Sequence, residues 1–153
     1  DPNLIPRLIQ ARKQGRLKQV GSGENLVDVI YVKNAAKAHL QILEKIDHSE
    51  SIQGQCYFIG QEKPVNLWHF INKLLIAHDQ PVVNKNVSFK TAYLIGALIE
   101  FALKLANSYK IDPPMTRFMA CQLAKDHYFS HNKAIKDFSY EPEISIDKSF
   151  DFF

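Results

Sequence analysis

One stretch constrains the fold more than any other, because residues 26–46 change their hydrophobic period in mid-course. Leu26 to Val32 is a run of β-branched and aromatic residues broken only by Asp28, and it reads as a strand. Asn34 follows as a helix cap, after which Ala35, Ala38, Leu40, Ile42, Leu43 and Ile46 return at helical spacing. The pattern then repeats. Gln55 to Ile59 reads as a second strand between Gly54 and Gly60, and Asn66 caps a helix carrying Leu67, Phe70, Ile71, Leu74 and Leu75 on one side. Strand, helix, strand, helix predicts an α/β chain, with parallel pairing through a helical crossover.

The flanks are mainly helical. Asn3 as N-cap, Pro6 in the first turn and Gly15 as a left-handed stop frame a short amphipathic helix. Its polar face carries Arg7, Arg12, Lys13 and Arg16, with Lys18 just beyond, and such a charge run reads as a solvated face. Gly21, Ser22 and Gly23 punctuate a turn rather than a phosphate cradle, since a strand follows them and a dinucleotide fingerprint needs a helix there. Thr116 caps a helix toward Lys125, a shorter one spans Asn132 to Asp137, and a last one is entered at Ser145.

Ala92 to Ala106 is nearly continuous apolar sequence interrupted by Glu100 and Lys104, an i to i+4 pair. It is shorter than the ~20 residues that cross a bilayer. Core packing is one reading of it; a helix resting on a membrane or lining an apolar ligand channel is the other.

Composition sets the class. With 153 residues, 46% of them hydrophobic and 23% charged, the chain is one folded globular domain without repeats. Nineteen basic residues against sixteen acidic ones leave a charge of +3, too little for a dedicated nucleic-acid binder. Cys56 and Cys121 lie far apart without C-x-x-C spacing, which fits a reducing cytoplasm and leaves one disulfide open. The chain opens on Asp1 and closes on Phe150, Asp151, Phe152 and Phe153, and reads as a piece of something longer.

No catalytic centre is visible. G-x-S-x-G, Walker and H-E-x-x-H motifs are absent, and none of Tyr31, Tyr57, Tyr93, Tyr109, Tyr128 and Tyr140 has Lys four residues on. His127 and His131 have metal-ligand spacing only if helical, and the intervening Tyr128, Phe129 and Ser130 favour an extended stretch without a third ligand. No metal is expected.

Five segments in order resemble the C-terminal half of the 3β-hydroxysteroid dehydrogenase/isomerase family, within the extended short-chain dehydrogenase/reductases. They are DPNLIPRLIQARKQGRL, VGSGENLVDVIYVKNAAKAHL, GQCYFIGQEKPVNLWHFI, PPMTRF and HNKAIKDFSYEPEISI. The resemblance implies a mainly helical substrate-binding lobe with a few short strands, from a Rossmann-type protein. It includes an edge of the NAD(P)-binding domain at the Cys56 to Ile59 strand. The glycine-rich turn and catalytic Tyr and Lys would precede Asp1. NAD or NADP would belong to the parent protein, with none expected for this chain alone, and the missing nucleotide-binding portion becomes its partner.

The family implies sterols and related hydroxy or keto lipids as substrates. Similar enzymes of nucleotide-sugars carry an Arg immediately before the strand's Asp, where this chain has Val27, an apolar wall in place of a phosphate clamp. Asn3 and Leu4 fall where those enzymes touch substrate, so Asn3, Leu4 and Val27 are the substrate-binding candidates. Peripheral membrane contact and homo-oligomerisation stay open, as does a non-enzymatic apolar-ligand or membrane-docking module. Phe138 and Ser139 stand where the family has Leu and Gly, a change expected to affect packing only.

Overall fold

A computed structural model describes residues 4–46, 52–108 and 113–152. The chain divides into two compact units, Asp1–Leu26 with Asn66–His127, and Val27–Val65 with Tyr128–Phe153.

The first unit is built on helices. α1 (Leu4–Lys13) ends where Gly15 takes φ +65°, as the sequence predicts, while its expected cap Asn3 lies outside the described residues. β1 (Gln19–Val20) pairs in parallel with β4 (Asn86–Val87), matching Gln19 to Asn86 and Val20 to Val87. α3 (Leu67–Ala77) is capped by Asn66, whose side chain accepts the His69 N–H at 2.8 Å. α4 (Phe89–Leu105) and α5 (Arg117–Ala124) start on Ser88 and Thr116, each accepting the N–H three residues on. These helices bury Trp68, Ile71, Leu75, Ala92 and Ala120 against Val20, and the Trp68 indole donates to the Leu123 carbonyl at 3.0 Å.

α4 buries only Ala92 and Gly96. At Gly96 a Cβ would stand 2.5 Å from the Thr116 carbonyl carbon, so glycine is what lets α4 approach the backbone that opens α5. The expected Glu100–Lys104 pair does not form. Both carboxylate oxygens of Glu100 turn instead to Arg117, one to its backbone N–H and one to Nε, each at 2.7 Å. A well-oriented fork and an unsatisfied helix-start N–H outcompete a flexible ammonium one turn away.

The strand expected over Leu26 to Val32, most of which falls in the second unit, shrinks to Leu26–Val27 (β2), which pairs with β3 (Val65–Asn66). Side chains take over its ladder. The Asp28 carboxylate accepts the Phe129 N–H at 2.7 Å, and the Gln61 side-chain oxygen accepts the Tyr31 N–H at 3.3 Å. α2 (Val32–Ile46) therefore begins two residues before Asn34, and Asn34 is not a cap. It is buried inside the first turn, donating to the Gln61 side chain and the Ile144 carbonyl at 2.7 Å each, and accepting from Ile144 N–H at 3.1 Å.

The expected strand at Gln55 to Ile59 forms no ladder among the described residues, yet Tyr57 and Ile59 pack on the unit's core of Ala38, Ile52, Ala134, Phe138 and Tyr140. α6 (Asn132–Phe138), α7 (Ile146–Ser149) and a 3-10 turn (Phe150–Phe152) complete it. The architecture is mainly helical with a few short strands.

Candidate functional site

An apolar cavity of about 460 Å³ opens in the first unit, a size that suits a single small-molecule ligand. Val20 and Val87 of the paired strands form one wall, Ala92 and Ile95 of α4 another, and Met115, Met119 and Leu123 a third. The two thioethers supply an adaptable surface for an irregular hydrocarbon. Leu17, Lys18, Gly15 and Arg16, in the segment after α1, complete the rim. Sequence reasoning placed Arg16 and Lys18 on a solvated face and missed that they border this cavity. Their neighbours Val20 and Val87 become visible as a wall only once the two strands pair.

Of the predicted site residues, Asn3 lies outside the described residues. Leu4 is half exposed on α1, and Val27 is 3% exposed in β2. Neither Leu4 nor Val27 lines this cavity.

The second unit holds a cleft of about 470 Å³ lined by Gln61, Glu62, His131, Ile135, Tyr140 and Glu141 among others. At its edge Asp28 Oδ2 stands 3.5 Å from His131 Nε2, an ion-pair rather than a hydrogen-bond distance. The His131 ring fits only because position 60 is glycine, where an added Cβ would meet Cε1 at 2.5 Å. The Tyr140 hydroxyl donates to the Gly60 carbonyl, and burial pushes its phenol above the ordinary range. Tyr57 donates to Asp137 Oδ2 at 2.7 Å; burial, this bond and the Asp137 charge push its phenol up to about 12. These groups hold three segments of the unit together through one another.

No group of three or more His, Cys, Asp or Glu side chains could hold a metal among the described residues. His127 Nδ1 sits 2.9 Å from the Lys125 carbonyl in extended chain. The residues present do not fit a dinucleotide. Gly21 and Gly23 adopt φ of 78° and 82° in a turn before a strand, β2, where a dinucleotide turn leads into a helix, and the caps Asn66 and Ser88 each take one N-terminal N–H, of His69 in α3 and Thr91 in α4. No described helix is long and apolar enough to cross a membrane.

Two solved structures share the fold. The crystal structure of gox2253 superposes with a TM-score of 0.62 at 19% identity, over 97% of this chain and 42% of its own. UDP-glucuronic acid 4-epimerase from Bacillus cereus in complex with NAD gives 0.53 at 15%, over 95% of this chain and 36% of its own. The fold is therefore that of part of each of these two longer chains. Residues 1–90 match the model of the 3-beta hydroxysteroid dehydrogenase/isomerase family, and the chain belongs to that family.

Among its curated relatives, 2-alkyl-3-oxoalkanoate reductase of Stenotrophomonas maltophilia is 42% identical over 97% of this chain and 44% of its own length. Sterol-4-alpha-carboxylate 3-dehydrogenase, decarboxylating, of Mus musculus is 28% identical over 97% and 42%. The chain thus spans less than half the length of the curated relatives it matches.

Proposed function

We propose that this chain is the substrate-binding portion, with an edge of the cofactor domain, of an NAD(P)-dependent dehydrogenase or reductase acting on the C–OH or C=O group of a hydroxy or keto lipid. The observation that carries the reading is the apolar cavity of the first unit, in a chain whose family and relatives are oxidoreductases. The nicotinamide cofactor supplies hydride transfer when bound to the upstream portion. This chain's own residues do the rest: Val20, Val87, Ile95, Met115 and Met119 take the hydrocarbon body out of water and hold it in one place, which converts apolar burial into orientation at the reacting carbon.

The relatives' names narrow the substrate. One describes an alkanoate with a 3-oxo group and a 2-alkyl branch, the other 3-dehydrogenation of a sterol with a 4α-carboxylate. In each, the carbon that changes oxidation state neighbours a carbon bearing a carboxylate. A β-hydroxy or β-keto acid with a large apolar body is the substrate class we assign here. Val27 in place of a phosphate clamp disfavours sugar nucleotides, while Leu4 and Val27 stand apart from this cavity and are not assigned to its lining.

The test is to express the protein containing this chain with its upstream portion. Cofactor absorbance at 340 nm should then change with long-chain 2-alkyl-3-oxo acids or 3-hydroxysterol 4α-carboxylates. Turnover of nucleotide-sugars alone would overturn the reading. A non-enzymatic lipid- or membrane-docking role is favoured by one observation, the exposed face of α4 with Leu94, Leu98, Phe101 and Leu105. An upstream segment without a glycine-rich turn and Y-x-x-x-K would decide for it.

A further inference from the structure

We infer that Arg16 and Lys18 form a carboxylate-reading rim on the apolar cavity of the first unit, so that it selects amphipathic acids over their neutral counterparts. The inference rests on the reading of that cavity as the substrate site and goes beyond it by naming what fixes the ligand's polar end.

The argument is one of charge against an apolar background. The cavity's lining contains two charged side chains, Arg16 and Lys18, both cationic, and no acidic one. Both belong to the short segment between α1 and β1, two residues apart, and both are exposed. Among the described residues neither makes an ion pair. Their one side-chain hydrogen bond among the described residues runs from the Arg16 guanidinium to the Gln14 side chain, which leaves further N–H donors of its fork for a ligand.

The backbone beneath is settled. The N–H groups of Gly15, Arg16 and Leu17 return to the Arg12 and Ala11 carbonyls at 2.9–3.1 Å, so these two carbonyls of the last turn of α1 do not face the rim as bare acceptors. An uncharged sterol or alcohol would fill the apolar walls and leave the two cations in water. An acid gains a charge-assisted, forked contact at no cost in burial, because the cations stay at the solvent edge. Nearby Arg12 is not available for this role, since it donates to the Pro81 and Val82 carbonyls at 2.8 and 3.0 Å.

The test uses the 153-residue chain carrying Leu98→Glu and Phe101→Glu, so that the exposed face of α4 does not take up dye, with Nile red as a neutral apolar reporter and two competitors, 3-hydroxydodecanoic acid and its uncharged methyl ester, at pH 7.5. We expect the acid to displace the dye about tenfold more tightly than the ester, as a charge-assisted contact predicts. In the Arg16→Gln/Lys18→Gln double variant that advantage disappears while ester binding stays within about twofold, and Arg16→Lys keeps most of it. Salt should weaken the acid and leave the ester unchanged. Equal binding of acid and ester with Arg16 and Lys18 in place overturns the rim and leaves the cavity standing. An acid preference that survives Arg16→Gln/Lys18→Gln overturns it too. If neither compound displaces the dye, the cavity is no ligand site and both readings fall.

Discussion

Glu100 in the middle of α4 grips Arg117, the first residue of α5, at two points: one carboxylate oxygen takes the backbone N–H and the other takes Nε, each at 2.7 Å. One side chain thus satisfies a helix-start donor and orients a guanidinium at once. Those bonds hold the Glu100 carboxyl below the usual carboxylate range, with the backbone N–H the leading cause. A depressed folded-state value means stability that is present above the ordinary carboxylate range and lost as pH falls through the folded value.

Glu100→Gln should therefore lower the melting temperature at neutral pH, and the gap to the unaltered chain should close as pH drops below about 4. Thermal melts between pH 3 and 7 check this. A gap that does not change with pH would mean that the carboxylate charge contributes nothing.

Gly96→Ala tests the helix contact that this clamp spans. Alanine would improve helix propensity, but its Cβ would stand 2.5 Å from the Thr116 carbonyl carbon and 2.7 Å from the Arg117 nitrogen. Both are backbone atoms, so overpacking wins and the net loss should be about 1–3 kcal/mol by urea denaturation. A stabilised variant would show that α4 and α5 separate freely.

What the sequence made legible follows from how local each signal is. Helix caps at Asn66, Ser145 and Thr116 and the Gly15 stop depend on neighbours within one turn, and all stand where they were read. Asn34 misled because a cap and a buried amide use the same residue. Its partners, Gln61 and Ile144, lie 27 and 110 positions away. The strand at Gln55 to Ile59 has the right residues, but a strand needs a neighbour, and within the described residues nothing pairs with it. The cavity was illegible because its walls come from β1, β4, α4 and α5, and no window of sequence contains them.

Ser139 carries a second lesson. It caps α6 at φ +58°, the left-handed region where a Cβ is strained, so replacing the family's glycine changes backbone energy and not packing alone. Ser139→Gly should stabilise the second unit by about 1 kcal/mol, less the entropy that glycine adds to the unfolded chain. Urea denaturation followed by Tyr fluorescence would show it, and a loss of stability would mean that the serine hydroxyl contributes more than the strain costs.

Tyr57 makes an alkaline prediction. Its phenol is pushed up to about 12 by burial and by donation to Asp137. A raised folded-state value means stability fully present below pH 10, the unfolded value, and lost as pH rises through about 12. Absorbance titration at 295 nm should show a late-ionising component near pH 12 that is lost in Tyr57→Phe, while Tyr140, also raised, still ionises late. The variant should also lose less stability than the unaltered chain between pH 10 and 12.

The outer face of α4 supplies the last test. Leu94, Leu98, Phe101 and Leu105 are 60%, 60%, 66% and 79% exposed, spaced three or four apart along one side of the helix, and Phe118 on α5 is 70% exposed. A contiguous apolar stripe of this kind drives association wherever water is the alternative. Leu98→Glu with Phe101→Glu should therefore reduce self-association in light scattering and weaken binding of hydrophobic dyes, with little change in stability, because both side chains are already mostly in water. Liposome flotation separates the remaining outcomes: peripheral attachment abolished by the double variant and released by a carbonate wash is expected for a face that only rests on lipid. Attachment that resists the wash would mean that α4 inserts more deeply than a 17-residue helix carrying Glu100 and Lys104 should.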